Sequence, residues 1–172
     1  KAVEQTVLHF GGLDVLVSNA GSFTSGCTLE GMDEERWRKS MSVNLDAHLW
    51  LLRSCIPFLK SGIDPAVVLV GSKNVPAPGP GAAAYSVAKA ALTQAGRVAA
   101  LELGEHGIRV NMVHPNAVFD TGVWTEEVLH ERAAHYKMSV DEYKKSNILR
   151  TEIHATHVAA MISAMAGPVF SK

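Results

Sequence analysis

Cysteine is scarce in this 172-residue chain: Cys27 and Cys55 are the only two. They stand far apart at no metal-type spacing, which argues against a disulfide framework and for two buried thiols in a reducing compartment. Charge of one sign is lacking as well, since 16 Lys and Arg against 17 Asp and Glu leave a formal net charge of −1. No basic block or stripe exists to track a phosphate backbone, so no nucleic-acid partner is expected. No apolar run is long enough to span a bilayer, and the N-terminus carries no charged, apolar, small-residue signal. The expectation is therefore a cytoplasmic protein without membrane contact. Internal repeats and low-complexity segments are missing too. What is present, 47% apolar and 19% charged residues, is the composition of one soluble globular domain with a real core.

The chain starts without an initiator methionine and already in helical register: Ala2, Val3, Val7 and Phe10 share a face until Gly11 stops it. LDVLVSNAG at 13–21 is the short apolar run of a strand buried on both faces. After a loop to Met32, Asp33 caps a long helix through about Lys60, with Glu34 and Glu35 suiting its first turn and Pro57 bending or ending it near the last. AVVLVGS at 66–72 reads as a second buried strand, followed by a loop punctuated by Pro76, Pro78 and Pro80. An alanine-rich helix over 82–103 and a third strand over 108–115 complete a strand–helix alternation, which implies right-handed crossovers and a parallel sheet with helices on its faces. Three helices follow, over 124–136, after a capping box of Ser139 with Glu142, and over 154–165. Three strands are few for such a sheet, so a partner or further sequence is expected beside the first strand.

The alanine-rich segment GAAAYSVAKAAL, 81–92, is built for close packing yet carries Tyr85 and Lys89. Four residues of helix put both on one face, about 6 Å apart along the axis. An ammonium beside a phenol stabilises phenolate and brings its pKa toward the range of a general acid/base. A packed ring and a lysine reaching for water would give the same spacing, so context decides. Ser72 ends the second strand at the carboxyl edge, where ligands of open α/β sheets bind. Asn19 and Gly21 end the first strand at that edge, as loop residues or as a close backbone approach to a ligand. Asn44 stands inside the long helix, facing either solvent or something polar.

Together these residues resemble the short-chain dehydrogenase/reductase family over nearly the whole chain. SNAG at 18–21 is similar to the family's N-A-G turn, Val43 and Asn44 to its helix asparagine, and Ser72 lies thirteen residues before Tyr85, the usual interval before Y-x-x-x-K. RVNMVHP at 109–115 resembles the strand leading to the nicotinamide-facing loop. The resemblance implies a partial domain over 1–172: a Rossmann-like α/β parallel sheet with helices on both faces, lacking the first βαβ strands and the last strand. It implies hydride transfer between NAD or NADP and a small carbonyl/alcohol substrate. Tyr85 would exchange the hydroxyl proton, Lys89 would lower its pKa and bind the nicotinamide ribose, Ser72 would hold the substrate oxygen, and Asn44 would hold a relay water. Asn19, Ala20 and Gly21 would border the adenosine ribose, and Pro115, Val118 and Thr121 would lie at the nicotinamide end. It further implies a homodimer or homotetramer formed through the two long helices, with Ala91, Ala95 and Ala99 permitting close approach and Trp37 and Trp50 as core or interface anchors.

Two departures accompany the likeness. No glycine-rich turn follows a strand, since GPGAAA at 79–84 trails the second strand and reads as a loop. A truncated piece of a larger enzyme, binding cofactor poorly and inactive alone, is the resulting expectation. Asn116 stands where the family has glycine, and HPNAVFDTGVWTEEVLHERAAHY is similar to the dehydrogenase domain of bifunctional rhamnulose-1-phosphate aldolase/alcohol dehydrogenases, implying lactaldehyde or a related small aldehyde. Eight histidines suggest no metal, because His154 and His157 lack a completing carboxylate or cysteine at ligand spacing. His114, at the third strand's end, is placed near the substrate, and Trp124 with the helices after it forms a lid or packs against a subunit. The alternative from another class is a noncatalytic dinucleotide-sensing or scaffolding Rossmann-like domain.

Overall fold

α1, Ala2–Phe10, ends where Gly11 takes a left-handed φ of 82° and returns its N–H to the Val7 carbonyl. In the computed structural model, which describes residues 1–23 and 26–170, three short strands follow in parallel. They are β1 (Val15–Ser18), β2 (Ala66–Val70) and β3 (Arg109–Val113), in the order β1-β2-β3 with Val15 opposite Ala66 and Ala66 opposite Arg109. Thr24 and Ser25, in the loop expected after the first strand, lie outside the described residues, as do Ser171 and Lys172 at the end of the expected domain.

Asp33 caps the next helix as its sequence suggests, accepting the Arg36 N–H at 2.8 Å. The expected single helix is in fact three pieces: α2 (Glu34–Met41), a π turn over Ser42–Asp46, and α3 (Ala47–Leu59). Pro57 does not end α3, which runs on to Leu59 although the proline removes one i→i−4 hydrogen bond, to the Arg53 carbonyl. α4 (Ala83–Gly104) is the alanine-rich helix. α5 (Glu126–His135), α6 (Val140–Lys144) and α7 (Ala155–Ala166) follow β3, with the Ser139–Glu142 capping box formed. His154 and His157 cap α7 rather than share a ligand: the His154 N–H donates to His157 Nδ1 at 3.1 Å.

Val67 and Leu69 of β2 join Leu16, Leu52, Cys55, Leu59, Leu92, Leu103 and Ile108 in one core beneath α3 and α4. Ala66, Val68 and Val70 on the other face are also buried, and α7 packs there against β2 and β3. Removing a side chain such as Leu69 from such a layer costs about 2–5 kcal/mol. β1 departs from expectation. Its Leu16 and Ser18 are buried but Val15 and Val17 remain 39% and 43% exposed, as α7 packs mainly on β2 and β3. Gly96 lets α4 approach the sheet, since a Cβ there would lie 3.1 Å from both Leu69 Cδ1 and Met112 Cε. Ala99 likewise packs into the chain's own core rather than onto an outer surface. Trp37 and Trp50 are exposed, not core residues. Of the two free thiols, Cys55 is buried and Cys27 only half-buried. No described helix is long and apolar enough to cross a membrane.

Candidate active site

The three parallel strands present their carboxyl ends at one edge of the sheet, and α4 begins there because it follows the loop leaving β2. That loop turns at Gly81, whose φ of 77° favours glycine. The Gly81 carbonyl accepts the Cys27 N–H at 3.1 Å, so the loop after β1 docks beside the start of α4. GPGAAA is thus a turn and the first residues of a helix, not a phosphate cradle behind a strand.

Lys89, one turn after Tyr85, is driven into the fold by the small residues around it. It is only 2% exposed, its Nζ donates to the Val70 carbonyl at 2.9 Å, and burial pulls its pKa down to about 8. Tyr85 packs its ring edge-on against Phe23, with centroids 5.3 Å apart. Burial holds its phenol above the ordinary pKa, and the nearby Ser72 side chain offsets part of that rise. The expected acidification of Tyr85 by Lys89 is therefore not seen: the ammonium turns one N–H to the Val70 carbonyl, and desolvation governs the phenol. Tyr85 and Ser72 do come together.

Ser72 is 8% exposed, and its Oγ accepts the Asn74 N–H at 3.2 Å. His114 closes over the same segment, its Nδ1 3.3 Å from the Ser72 N and 3.1 Å from the Ser72 O. Gly71 makes room for it, since a Cβ there would meet the ring at 2.5 Å. Pro115 joins this edge through its carbonyl, which accepts the Lys73 N–H at 2.9 Å. Val118 and Thr121 close a turn of their own, Thr121 Oγ1 donating to the Val118 carbonyl at 2.9 Å, and no hydrogen bond among the described residues joins them to Ser72, Tyr85 or Lys89. Beyond them, Phe119, Trp124 and Tyr143 form an aromatic cluster, with Tyr136 stacked on Tyr143.

Asn44 faces the interior, fully buried in the π turn. Its Oδ1 accepts the Ser22 N–H at 3.0 Å, and its Nδ2 donates to the Ser22 carbonyl at 2.9 Å and to Ser40 Oγ at 3.2 Å. Both amide hydrogens are thereby spent, leaving one lone pair of Oδ1. Asn19, Ala20 and Gly21 are exposed at the end of β1. A Cβ on Gly21 would lie 3.5 Å from Asn44 Oδ1 and 3.8 Å from Lys89 Nζ, so the missing side chain leaves the approach to both open. These residues fit the ribose and nicotinamide end of a dinucleotide: a buried amine with donors beyond the one bond it makes, under bare backbone. The pyrophosphate donors are not among them. Sequence reasoning missed His48, which contacts Ser18 from α3; its place four residues after Asn44, on the same helix face, is the signal that would have found it.

A family model described as short chain dehydrogenase matches residues 1–132. The chain is 34% identical over 171 residues to the uncharacterized oxidoreductase YuxG of Bacillus subtilis, covering 96% of this chain and 25% of that protein. It is 37% identical over 123 residues to a trans-4-hydroxycyclohexanecarboxylate dehydrogenase of Sinomonas cyclohexanicum, covering 68% of this chain and 44% of that one. The crystal structure of carveol dehydrogenase from Mycobacterium avium in complex with NAD superposes with a TM-score of 0.90 at 25% identity, covering 99% of this chain and 64% of the other. The chain thus spans a quarter to a half of these curated relatives and under two thirds of the solved one.

Proposed function

Because the chain belongs to the short-chain dehydrogenase family, we propose that the protein containing it moves a hydride between NAD(H) and a small carbonyl/alcohol pair, with Ser72, Tyr85 and Lys89 as its working groups. The observation that carries this reading is the convergence at one sheet edge of a phenol interacting with a strand-end hydroxyl and a buried amine. The dinucleotide, when bound, supplies or accepts the hydride; the rest falls to the chain. Ser72 Oγ orients the substrate oxygen. Tyr85, whose phenol burial keeps protonated at neutral pH, gives its proton to that oxygen in reduction and recovers it in oxidation. Lys89 holds the nicotinamide ribose with the N–H groups it does not spend on Val70. Asn44 offers a relay water the lone pair that Ser22 leaves free. Asn19, Ala20 and Gly21 line the ribose path, and Pro115, Val118 and Thr121 bound the nicotinamide end. NAD rather than NADP is supported by the NAD held in the carveol dehydrogenase structure.

Within this reading the substrate is a lactaldehyde-type small aldehyde. The similarity of the stretch after His114 to the dehydrogenase domain of bifunctional rhamnulose-1-phosphate aldolase/alcohol dehydrogenases supports it. Exposed apolar residues on α3 and α4, Trp50 at 60% and Leu101 at 82%, support assembly as a homodimer or homotetramer through those helices. NADH oxidation by the full-length protein with lactaldehyde tests the function. Tyr85→Phe should lower the rate by at least about 100-fold with the melting temperature unchanged. Equal rates would remove Tyr85 from the chemistry, whereas NADH bound but not oxidised would favour a noncatalytic, dinucleotide-sensing domain.

A further inference from the structure

His48 is buried in α3, and no step above uses it. Ser18, the last residue of β1, turns its side chain inward with Leu16, and its Oγ lies 2.6 Å from His48 Nδ1; the two residues are 3% and 1% exposed. A hydroxyl and an imidazole inside an apolar layer each need a partner, and on this side each satisfies the other. The second ring nitrogen differs. Nε2 is buried and has no hydrogen-bond partner among the described residues. Burial first, then the charge of Lys89, pulls the ring's pKa down, so the ring is neutral, while the nearby Ala20 backbone, which stops short of a full hydrogen bond to Nε2, pulls it up. A neutral imidazole carries one N–H. The Ser18–His48 contact allows either tautomer, but the Ala20 backbone raises the ring's pKa as a carbonyl facing a ring N–H does, which assigns the hydrogen to Nε2, the Ser18 hydroxyl donating to Nδ1. One helical turn earlier on the same face, Asn44 grips Ser22 by both its N–H and its carbonyl. The helix therefore holds the chain at Ser18 and at Ser22, with Asn19, Ala20 and Gly21 between the two grips.

We infer that His48 is a positioning residue for the turn of residues 19–21: anchored on Ser18, it keeps Nε2–H ready for the Ala20 carbonyl and closes that bond when a dinucleotide ribose settles on the turn. This rests on the cofactor reading above. The test uses the full-length protein with ¹⁵N-labelled histidine, followed by NMR and by NADH titration. On adding NADH the His48 Nε2 proton should move downfield. His48→Asn, whose amide reaches the Nδ1 position only, should keep the melting temperature and weaken NADH binding about tenfold. His48→Gln, whose amide reaches the Nε2 position, should restore affinity to within about threefold of wild type. If His48→Asn fails to fold, Ser18→Ala carries the test: freeing the ring from its anchor should broaden the Nε2 signal and weaken NADH binding. An Nε2 signal unmoved by bound NADH, or His48→Asn and Ser18→Ala binding as tightly as wild type, overturns the inference while leaving the cofactor reading intact. A wild-type protein that binds no NADH overturns both.

Discussion

Lys89 shows how far one buried side chain can depart from its behaviour in water. Its ammonium ordinarily loses its proton at 10.5, but in the fold does so near 8, because burial penalises the charge. Between those two values the unfolded chain binds more protons than the folded one, so stability rises with pH across that window and is lowest below it. Lys89→Met removes this titration. The stability of the wild type relative to Lys89→Met should therefore rise by up to about 3 kcal/mol as pH goes from 8 to 10.5, read from urea midpoints. A flat difference would mean that the amine sits in water. Tyr85 is shifted in the direction opposite to the one its lysine neighbour suggests. The i, i+4 spacing was legible and placed both residues on one helix face, but spacing is silent about which carbonyl an ammonium finds. Val70, nineteen residues upstream, is where it goes.

At the scale of elements, caps and apolar runs were legible because they are local. Asp33, the Ser139–Glu142 box and the buried run of β2 stand where their residue types put them. The π turn at Ser42–Asp46 was not legible, because its cause is distant. An extra residue in the helical repeat re-aims a side chain, and here Asn44 reaches Ser22, on a loop that is remote in sequence. The same long-range dependence hid the half-exposed state of β1, which is set by what packs over that face and not by the strand's own composition. The Asn44 grip makes an element-level prediction. Asn44→Ala leaves the Ser22 N–H and carbonyl without their partner and should cost about 1–3 kcal/mol in urea unfolding. It should also speed amide hydrogen exchange at Ser22 more than at Leu52 on the same helix stack. Unchanged exchange at Ser22 would show that other groups hold this loop.

For the whole molecule, the decisive asymmetry is between the two faces of the sheet at β1. One face buries Leu16 and Ser18 under α3, while the other leaves Val15 and Val17 at 39% and 43% exposure. A parallel strand with one apolar face open and one edge unpaired is an unusual resting state, since parallel sheets are ordinarily covered on both sides. The solved relative is longer, with this chain accounting for 64% of it. We therefore expect Val17 to be enclosed in the working protein, and a charge placed there reports on it. If Val17 is enclosed, Val17→Lys in the full-length protein must bury an unpaired ammonium and should cost at least about 2 kcal/mol. If the face stays open, the lysine reaches water and the cost stays below about 0.5 kcal/mol. A urea midpoint that hardly moves would thus assign β1 the role of a true outer edge, and the turn of residues 19–21 that it carries would have to be held by Ser18, His48 and Asn44 alone.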